Sequence, residues 1–424
     1  MMKISRYIRS ENVVIRKEYF GGIGFQRDNG ITIEFDDETY VLLLLLSKPL
    51  SLLQIKGILE QRFNRAFSLK EIKDQIEKFM VHGYIRSLEN RKIVQPWSVI
   101  QTNKNETCDG FLSAPEVVHL SITSRCNLDC PFCYRENTED MSTEEIIGFI
   151  NELSSMRVFQ LAIGGGEPLL RDDLSFIIDY CHRKNIVPNL TTNGTLLTNS
   201  FIKKISGKVG QVNLSFNDCF DQKGIDNRKK IFLLNKHGIR SGINLLITHM
   251  SVSKLEETLS ELKELPVQSI TILRPKPVRN EEWYKESKLK EGDLELINRS
   301  LTKHKKIRVD CSLVCLMRQA PKEILQDSAI YGCVAGIRFC TVDSDGSVIP
   351  CSFFHDKRYR AGNITWQDFR QIWTGSKVFK LFREMNKNIK GVCRSCEIKS
   401  YCKGCRRIAM ETGDFYSGEC LCGG

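Results

Sequence analysis

Arg125-Cys126-Asn127-Leu128-Asp129-Cys130-Pro131-Phe132-Cys133-Tyr134 is the stretch that decides how this chain reads. Its thiols follow C-x3-C-x2-C spacing, with the aromatic Phe132 directly before the last one. Three thiolates can hold three irons of a cubane cluster and leave the fourth iron open. An open iron can bind a small molecule and pass it an electron. The bland readings are a zinc site or scattered core cysteines. Zinc usually takes four ligands and favours C-x2-C pairs, and no fourth ligand stands nearby in the sequence.

Downstream, strand and helix patterns alternate. Candidate strands are Val117–Thr123, Gln160–Gly164, Asn189–Thr192, Gln211–Phe216, Ile243–Thr248 and Ser269–Leu273. Helical patterns at Ser142–Met156, Leu174–Lys184, Ser200–Ile205, Lys229–His237 and Lys254–Leu265 separate them. Such alternation predicts parallel strands. Six units fall short of a closed eight-unit barrel, so the expectation is the α/β class, with an open, partial (β/α)6 barrel over residues 117–310. The triad then lies at the carboxyl end of the first strand, the face that carries active sites in such barrels. Neighbouring strand tips carry Gly164-Gly165-Gly166-Glu167-Pro168, Thr192-Asn193-Gly194, and Ser215 with Asn217 and Asp218. Glycines let a ligand approach the backbone, and Glu167 offers a carboxylate to an ammonium group. Each tip alone also reads as a turn or helix cap. Pro275 to Gly292 is charged and weakly periodic, and reads as a surface loop near the barrel mouth.

Residues 1–94 read as a separate small domain, with 95–116 as a linker. Val13–Lys17 is a strand pattern; Gly24–Arg27 and Ile31–Phe35 flank Asn29-Gly30, a strong hairpin signal. Helices start near Asp37, at Ser51 and at the capping box Ser68-x-x-Glu71, the last stopping at Gly83. Tyr84–Arg86 and Lys92–Val94 would close a β-wing. A DNA-binding winged helix is the bland reading. Against it, the third helix mixes Glu71, Asp74 and Glu77 with Lys70, Lys73 and Lys78. Beyond about Asp310 the chain turns cysteine-rich, so residues 311–424 read as a domain organised by metal.

The chain has 424 residues, 17 cysteines and a formal charge of +11. No run approaches the ~20 apolar residues of a membrane span, and the N-terminus lacks the apolar region of a secretory signal. Many cysteines without a secretory signal point to metal ligation in the reducing cytoplasm. Three thiolate-bound cubanes would reduce the charge to roughly +6. No dense Lys/Arg run accompanies that excess, so nothing calls for nucleic acid as a partner.

From residue 117 to 310 the chain resembles the radical S-adenosylmethionine (SAM) superfamily, through the triad's spacing and its aromatic residue. The resemblance implies a [4Fe–4S] cluster with an open iron on Cys126, Cys130 and Cys133, with SAM bound beside Phe132. Gly165, Gly166 and Glu167 would hold the methionine amino end, and Ser215 and Arg228 would contact ribose and carboxylate. It also implies cleavage of SAM to a 5′-deoxyadenosyl radical that removes a hydrogen atom from the substrate.

A second signature runs Cys333-x12-Gly346-x4-Cys351, Cys393-x2-Cys396-x5-Cys402-x2-Cys405 and Cys420-x-Cys422. It resembles a SPASM domain, which implies two auxiliary [4Fe–4S] clusters. Cys333, Cys340, Cys351 and Cys405 would hold the nearer one; Cys393, Cys396, Cys402 and Cys420 would hold the farther one. Two residues precede Cys405 where some relatives have three, and Cys422 is an alternative to Cys420. A zinc ribbon on Cys393, Cys396, Cys402 and Cys405 is the plainer reading. Of the other cysteines, Cys181 reads as core, and Cys311 and Cys315 as core or loop. The seven histidines read as structural.

The N-terminal domain resembles the peptide-recognition element of ribosomal-peptide maturases. The resemblance implies a leader peptide adding a strand beside Ile31–Phe35. Lys17-Glu18-Tyr19-Phe20-Gly21-Gly22-Ile23 resembles maturases that form carbon–carbon links. Together these imply a peptide maturase making a thioether or carbon–carbon crosslink. Its partners would be a precursor peptide and an electron donor such as flavodoxin or ferredoxin. The alternatives are a sulfatase-maturase-like dehydrogenase, a non-catalytic iron–sulfur electron carrier and a redox-sensing winged-helix regulator. For the first, an acidic base is expected just after Cys351, where this chain has Ser352.

Overall fold

The computed structural model describes residues 5–88, 110–217, 226–303, 307–319, 332–418 and 420–422. The chain divides into two compact units, Met1–Ser113 and Ala114–Gly424. Among the described residues no helix is long and apolar enough to cross a membrane.

In the first unit, β1 (Arg6–Arg9), β2 (Val13–Glu18), β3 (Gly21–Gln26) and β4 (Ile31–Phe35) precede α1 (Asp37–Leu45). β5 (Leu50–Ser51), α2 (Leu52–Phe63), α3 (Leu69–Val81) and β6 (Ile85–Leu88) follow. The predicted hairpin forms: β3 and β4 pair antiparallel around Gly30, whose φ of +75° suits glycine. Asp36, Ser51 and Ser68 cap the three helices through their side chains. β1 supplies the wing by pairing antiparallel with β6, while Lys92–Val94 lies outside the described residues. Ile55, Ile72, Ile76 and Phe79 bury the helix faces against Phe35 and Tyr84. The Tyr84 hydroxyl donates to the Gly24 carbonyl at 2.7 Å. Buried Arg16 and Glu18 pair at 2.6 Å, and Glu18 accepts from the Ser113 amide at 2.7 Å. That contact carries the unit past the expected boundary at residue 94.

The second unit is built on β7 (Val117–Thr123), β8 (Gln160–Gly165), β9 (Val187–Thr192), β10 (Gln211–Phe216), β11 (Ser241–Leu246) and β12 (Ser269–Leu273). These are the six predicted strands, shifted by a residue or two at some ends. The structure adds β13 (Ile307–Val309) beside β12 and β14 (Phe339–Val342) beside β7, both parallel. The order is β13-β12-β11-β10-β9-β8-β7-β14, continued antiparallel by β15 (Ser347–Ile349) and β16 (Gly362–Asn363). No ladder joins β13 to β16 among the described residues, so the sheet is open. The cysteine-rich region is thus stitched into the barrel sheet.

Side chains alternate along each strand. Val118, Leu120, Ile122, Leu161, Ile163, Val212, Leu214, Ile243 and Leu245 belong to the main apolar core. It also takes Ile146, Phe149, Ile150 and Leu153 from α4 (Thr143–Ser155). Their spacing is that of one helix face, and each such side chain contributes roughly 1.5–3 kcal/mol on burial. The intervening strand positions are polar: Asn189, Asn213, Ser215, Asn244 and Thr271 are only partly buried. The concave side of the sheet is therefore a hydrophilic lumen. The expected loop at 275–292 contains a helix, Glu281–Ser287, capped by the Asn280 side chain.

Candidate active site

Strand β7 delivers the triad. Just past it, the Thr123 hydroxyl donates to Asp140 at 2.5 Å, and the Ser124 amide donates to the same carboxylate at 2.7 Å. These bonds fix where the loop leaves the sheet. Cys126, Cys130 and Cys133 are half-buried, and the Cys133 amide donates to the Cys130 carbonyl at 3.1 Å. Asn127 ties the loop to the tip of β9: its amide donates to the Thr195 hydroxyl at 2.8 Å and its carbonyl accepts from Asn193 at 2.9 Å.

The glycines have a local job. A Cβ on Gly166 would stand 1.9 Å from the Arg125 carbonyl oxygen, and one on Gly165 2.6 Å from that of Thr123. Gly165 also holds φ at +113°, where side chains are strained. Their absent side chains let the end of β8 press against the triad loop. The Gly166 amide donates to the Thr123 carbonyl at 2.7 Å, and the Glu167 amide to that of Arg125 at 2.8 Å.

Glu167 has protein partners as well. It is fully buried. Its carboxylate accepts from the Leu169 amide at 3.1 Å, the Thr192 hydroxyl at 2.6 Å and the Asn193 amide at 2.8 Å. Burial pushes its carboxyl up while those bonds pull it back. The group braces β8 against β9. Arg228 is displaced from expectation. It is turned to the surface, pairing with Glu261 at 3.0 Å and Asp226 at 3.4 Å. One residue earlier, buried Asn227 donates to the Asn193 and Ser215 carbonyls, both at 3.0 Å. Asn227, and not Arg228, joins the tips of β9 and β10. Ser215 faces the lumen from β10, and Phe132 packs at 5.8 Å between ring centroids on Trp283.

The lumen wall beside β7 holds histidines that sequence reasoning read as structural. His355 bonds Asp343 at 3.0 Å, and its ring lies nearly parallel to Tyr134. The Nε2 of His355 is buried without a hydrogen-bond partner. His119 meets the Ser352 hydroxyl at 3.1 Å, and burial pushes it down to about 4. Ser352, which follows Cys351 where an acid was sought, therefore belongs to this network.

The C-terminal cysteines sort into two groups. Burial pushes Cys351 up to about 12 and raises Cys405, and Cys333 adds to the rise of both. Cys311 joins them: desolvation raises its thiol, and Asp310, Cys333 and Cys405 add to the rise. Cys340 does not. It sits on β14 inside the main apolar core, and Arg383 is the charge acting on it. The second group lines a concavity formed by Cys315, Cys393, Cys396, Cys402 and Cys422. The side chain of Cys420 lies outside the described residues, as do Cys108 and Cys219. The two groups touch through the backbone, the Cys333 amide donating to the Cys402 carbonyl at 3.2 Å.

These donor sets suit clusters better than single ions. A cubane spreads its ligands, each on its own iron. A coordinating iron holds such thiols deprotonated as thiolates.

A family model described as the radical SAM superfamily matches residues 120–265, and one described as an iron–sulfur cluster-binding domain, SPASM, matches residues 333–397. The chain is a radical SAM enzyme with a SPASM domain. Its cofactors are SAM, a [4Fe–4S] cluster and auxiliary iron–sulfur clusters. The AdoMet-dependent heme synthase of Methanosarcina barkeri is 29% identical over 73% of this chain and 97% of that protein. The mycofactocin maturase MftC of Mycolicibacterium smegmatis is 28% identical over 71% of this chain and 81% of its own. In structure, Streptococcus suis SuiB bound to its precursor peptide SuiA superimposes with a TM-score of 0.74. It covers 98% of this radical SAM enzyme and 99% of SuiB at 21% identity, a likeness of fold.

Proposed function

We propose that this radical SAM enzyme modifies a ribosomally made peptide, forming a crosslink within it. The observation that carries the reading is the pairing of the cysteine triad with a polar, partly exposed sheet face. Asn189, Asn213, Ser215, Asn244 and Thr271 offer amides and hydroxyls to a peptide backbone. The names of two relatives, a mycofactocin maturase and a protein solved with its precursor peptide, support the same class. In the first unit, β4 has a strand on one side only among the described residues, and Ile31 is 41% exposed. A leader peptide adding a strand there would gain main-chain bonds and an apolar anchor.

When bound, cluster and SAM supply a 5′-deoxyadenosyl radical that takes a hydrogen atom from the substrate. Cys126, Cys130 and Cys133 hold the cluster; Asn127, Asn193 and Asn227 keep the surrounding strand tips in place. The nearer auxiliary set is Cys311, Cys333, Cys351 and Cys405, and the farther one Cys393, Cys396, Cys402 and Cys422. A flavodoxin or ferredoxin would supply electrons, and the work would take place in the cytoplasm, where thiols stay reduced.

Co-expression with a candidate precursor peptide, sought as a short reading frame beside its gene, tests the reading. Mass spectrometry should find a product lighter by two hydrogens, and Ile31→Glu should weaken leader binding. An unchanged peptide in the presence of active SAM cleavage would refute it.

A further inference from the structure

A buried ion pair adjoins the nearer cysteine group. Lys276, 7% exposed, donates to Asp310 at 2.5 Å. Asp310 directly precedes Cys311. The Lys276 ammonium also stands 4.8 Å from the ring centroid of Phe353, two residues after Cys351. Phe353 in turn packs on Tyr134, the neighbour of Cys133, at 4.9 Å between centroids. The lysine therefore lies where the nearer auxiliary group approaches the triad loop.

Stability does not explain such a pair. Replacing a buried ion pair with apolar side chains of similar volume is often neutral or stabilising. Buried Arg274 adds a second cation that acts on Asp310.

We infer that Lys276 sets the reduction potential of the nearer auxiliary cluster. On taking one electron, an iron–sulfur cluster gains one negative charge, and its potential follows the charges and hydrogen bonds around it. At low dielectric a fixed cation stabilises that added charge strongly. Lys276 thus offsets Asp310 and keeps the cluster receptive to an electron. The inference rests on Cys311, Cys333, Cys351 and Cys405 being its ligands.

The test is an anaerobic redox titration of the full reconstituted chain with dithionite, followed by electron paramagnetic resonance. The signal lost in Cys311→Ala identifies the cluster. Lys276→Met should make its electron affinity at least about tenfold weaker, a shift of ~59 mV to lower potential for one electron. Asp310→Asn should move it the other way, because the amide keeps the hydrogen-bonding oxygen but drops the charge. If Lys276→Met fails to fold, Asp310→Asn decides alone. An unmoved potential in a folded, iron-replete Lys276→Met, or no rise in Asp310→Asn, overturns the inference and leaves the ligand assignment standing. If Cys311→Ala removes no signal, the ligand assignment fails and the inference with it.

Discussion

The triad and the nearer auxiliary group use the same side chain in opposite ways. Cys126, Cys130 and Cys133 come from one short loop, stand half-buried and depend on hydrogen bonds made by their neighbours. Cys311, Cys333, Cys351 and Cys405 come from four separate segments and meet only because the sheet and its flanking turns bring them together. A loop that can open to solvent suits a site that admits a cofactor and a substrate. A set gathered from distant segments, with Cys333 and Cys405 buried, suits a cluster that exchanges only electrons.

The largest effect should follow from breaking the loop site. Cys130→Ala should abolish 5′-deoxyadenosine formation under reducing conditions, read by chromatography, while iron in the C-terminal sites remains. Undiminished release would erase the contrast between the two settings.

A finer test separates Cys311, which the sequence reads as core or loop, from Cys340, which it reads as a ligand. Cys311→Ala should cost one cluster's worth of iron and acid-labile sulfide. Cys340→Ala should keep all of it and lower stability by about 1 kcal/mol, the cost of a small core truncation. The reverse result would return Cys340 to the ligand set.

The smallest contrast concerns adjacent residues. Asn227→Ala should cost ~1–2 kcal/mol, because two carbonyls lose their donor, and should raise the KM for SAM. Arg228→Ala removes only surface pairs and should leave both melting temperature and KM unchanged. Equal effects would put Arg228 back at the cofactor.

What could be read before folding was what is written locally. Caps at Ser51, Ser68 and Ser142, the hairpin at Asn29-Gly30 and the six parallel strands all rest on short-range rules. The triad is legible for the same reason. Cys311 is not, because no spacing rule links it to Cys333, and its membership depends on where β13 ends. The helix Glu281–Ser287 hid inside a charged stretch, although Asn280 followed by Glu281 and Glu282 is an N-terminal signal. Arg228 attracted a ligand role through its charge, whereas the uncharged amide beside it faces the strand tips. Glu167 reads as a ligand group because a carboxylate beside glycines invites one; folding adds three protein donors that no local pattern announces.

The pairing of β7 with β14 has a consequence for how the enzyme is made. Val117 and Phe339 are partners in that ladder, 222 residues apart (339 − 117). At ~5–20 residues per second of synthesis, the strand that bears the triad waits on the order of 10–40 s for its second neighbour. Until then, an apolar strand edge is uncovered on the nascent chain. Iron delivered during that interval would meet a half-flanked strand, so ribosome pausing and cluster insertion compete for the same window.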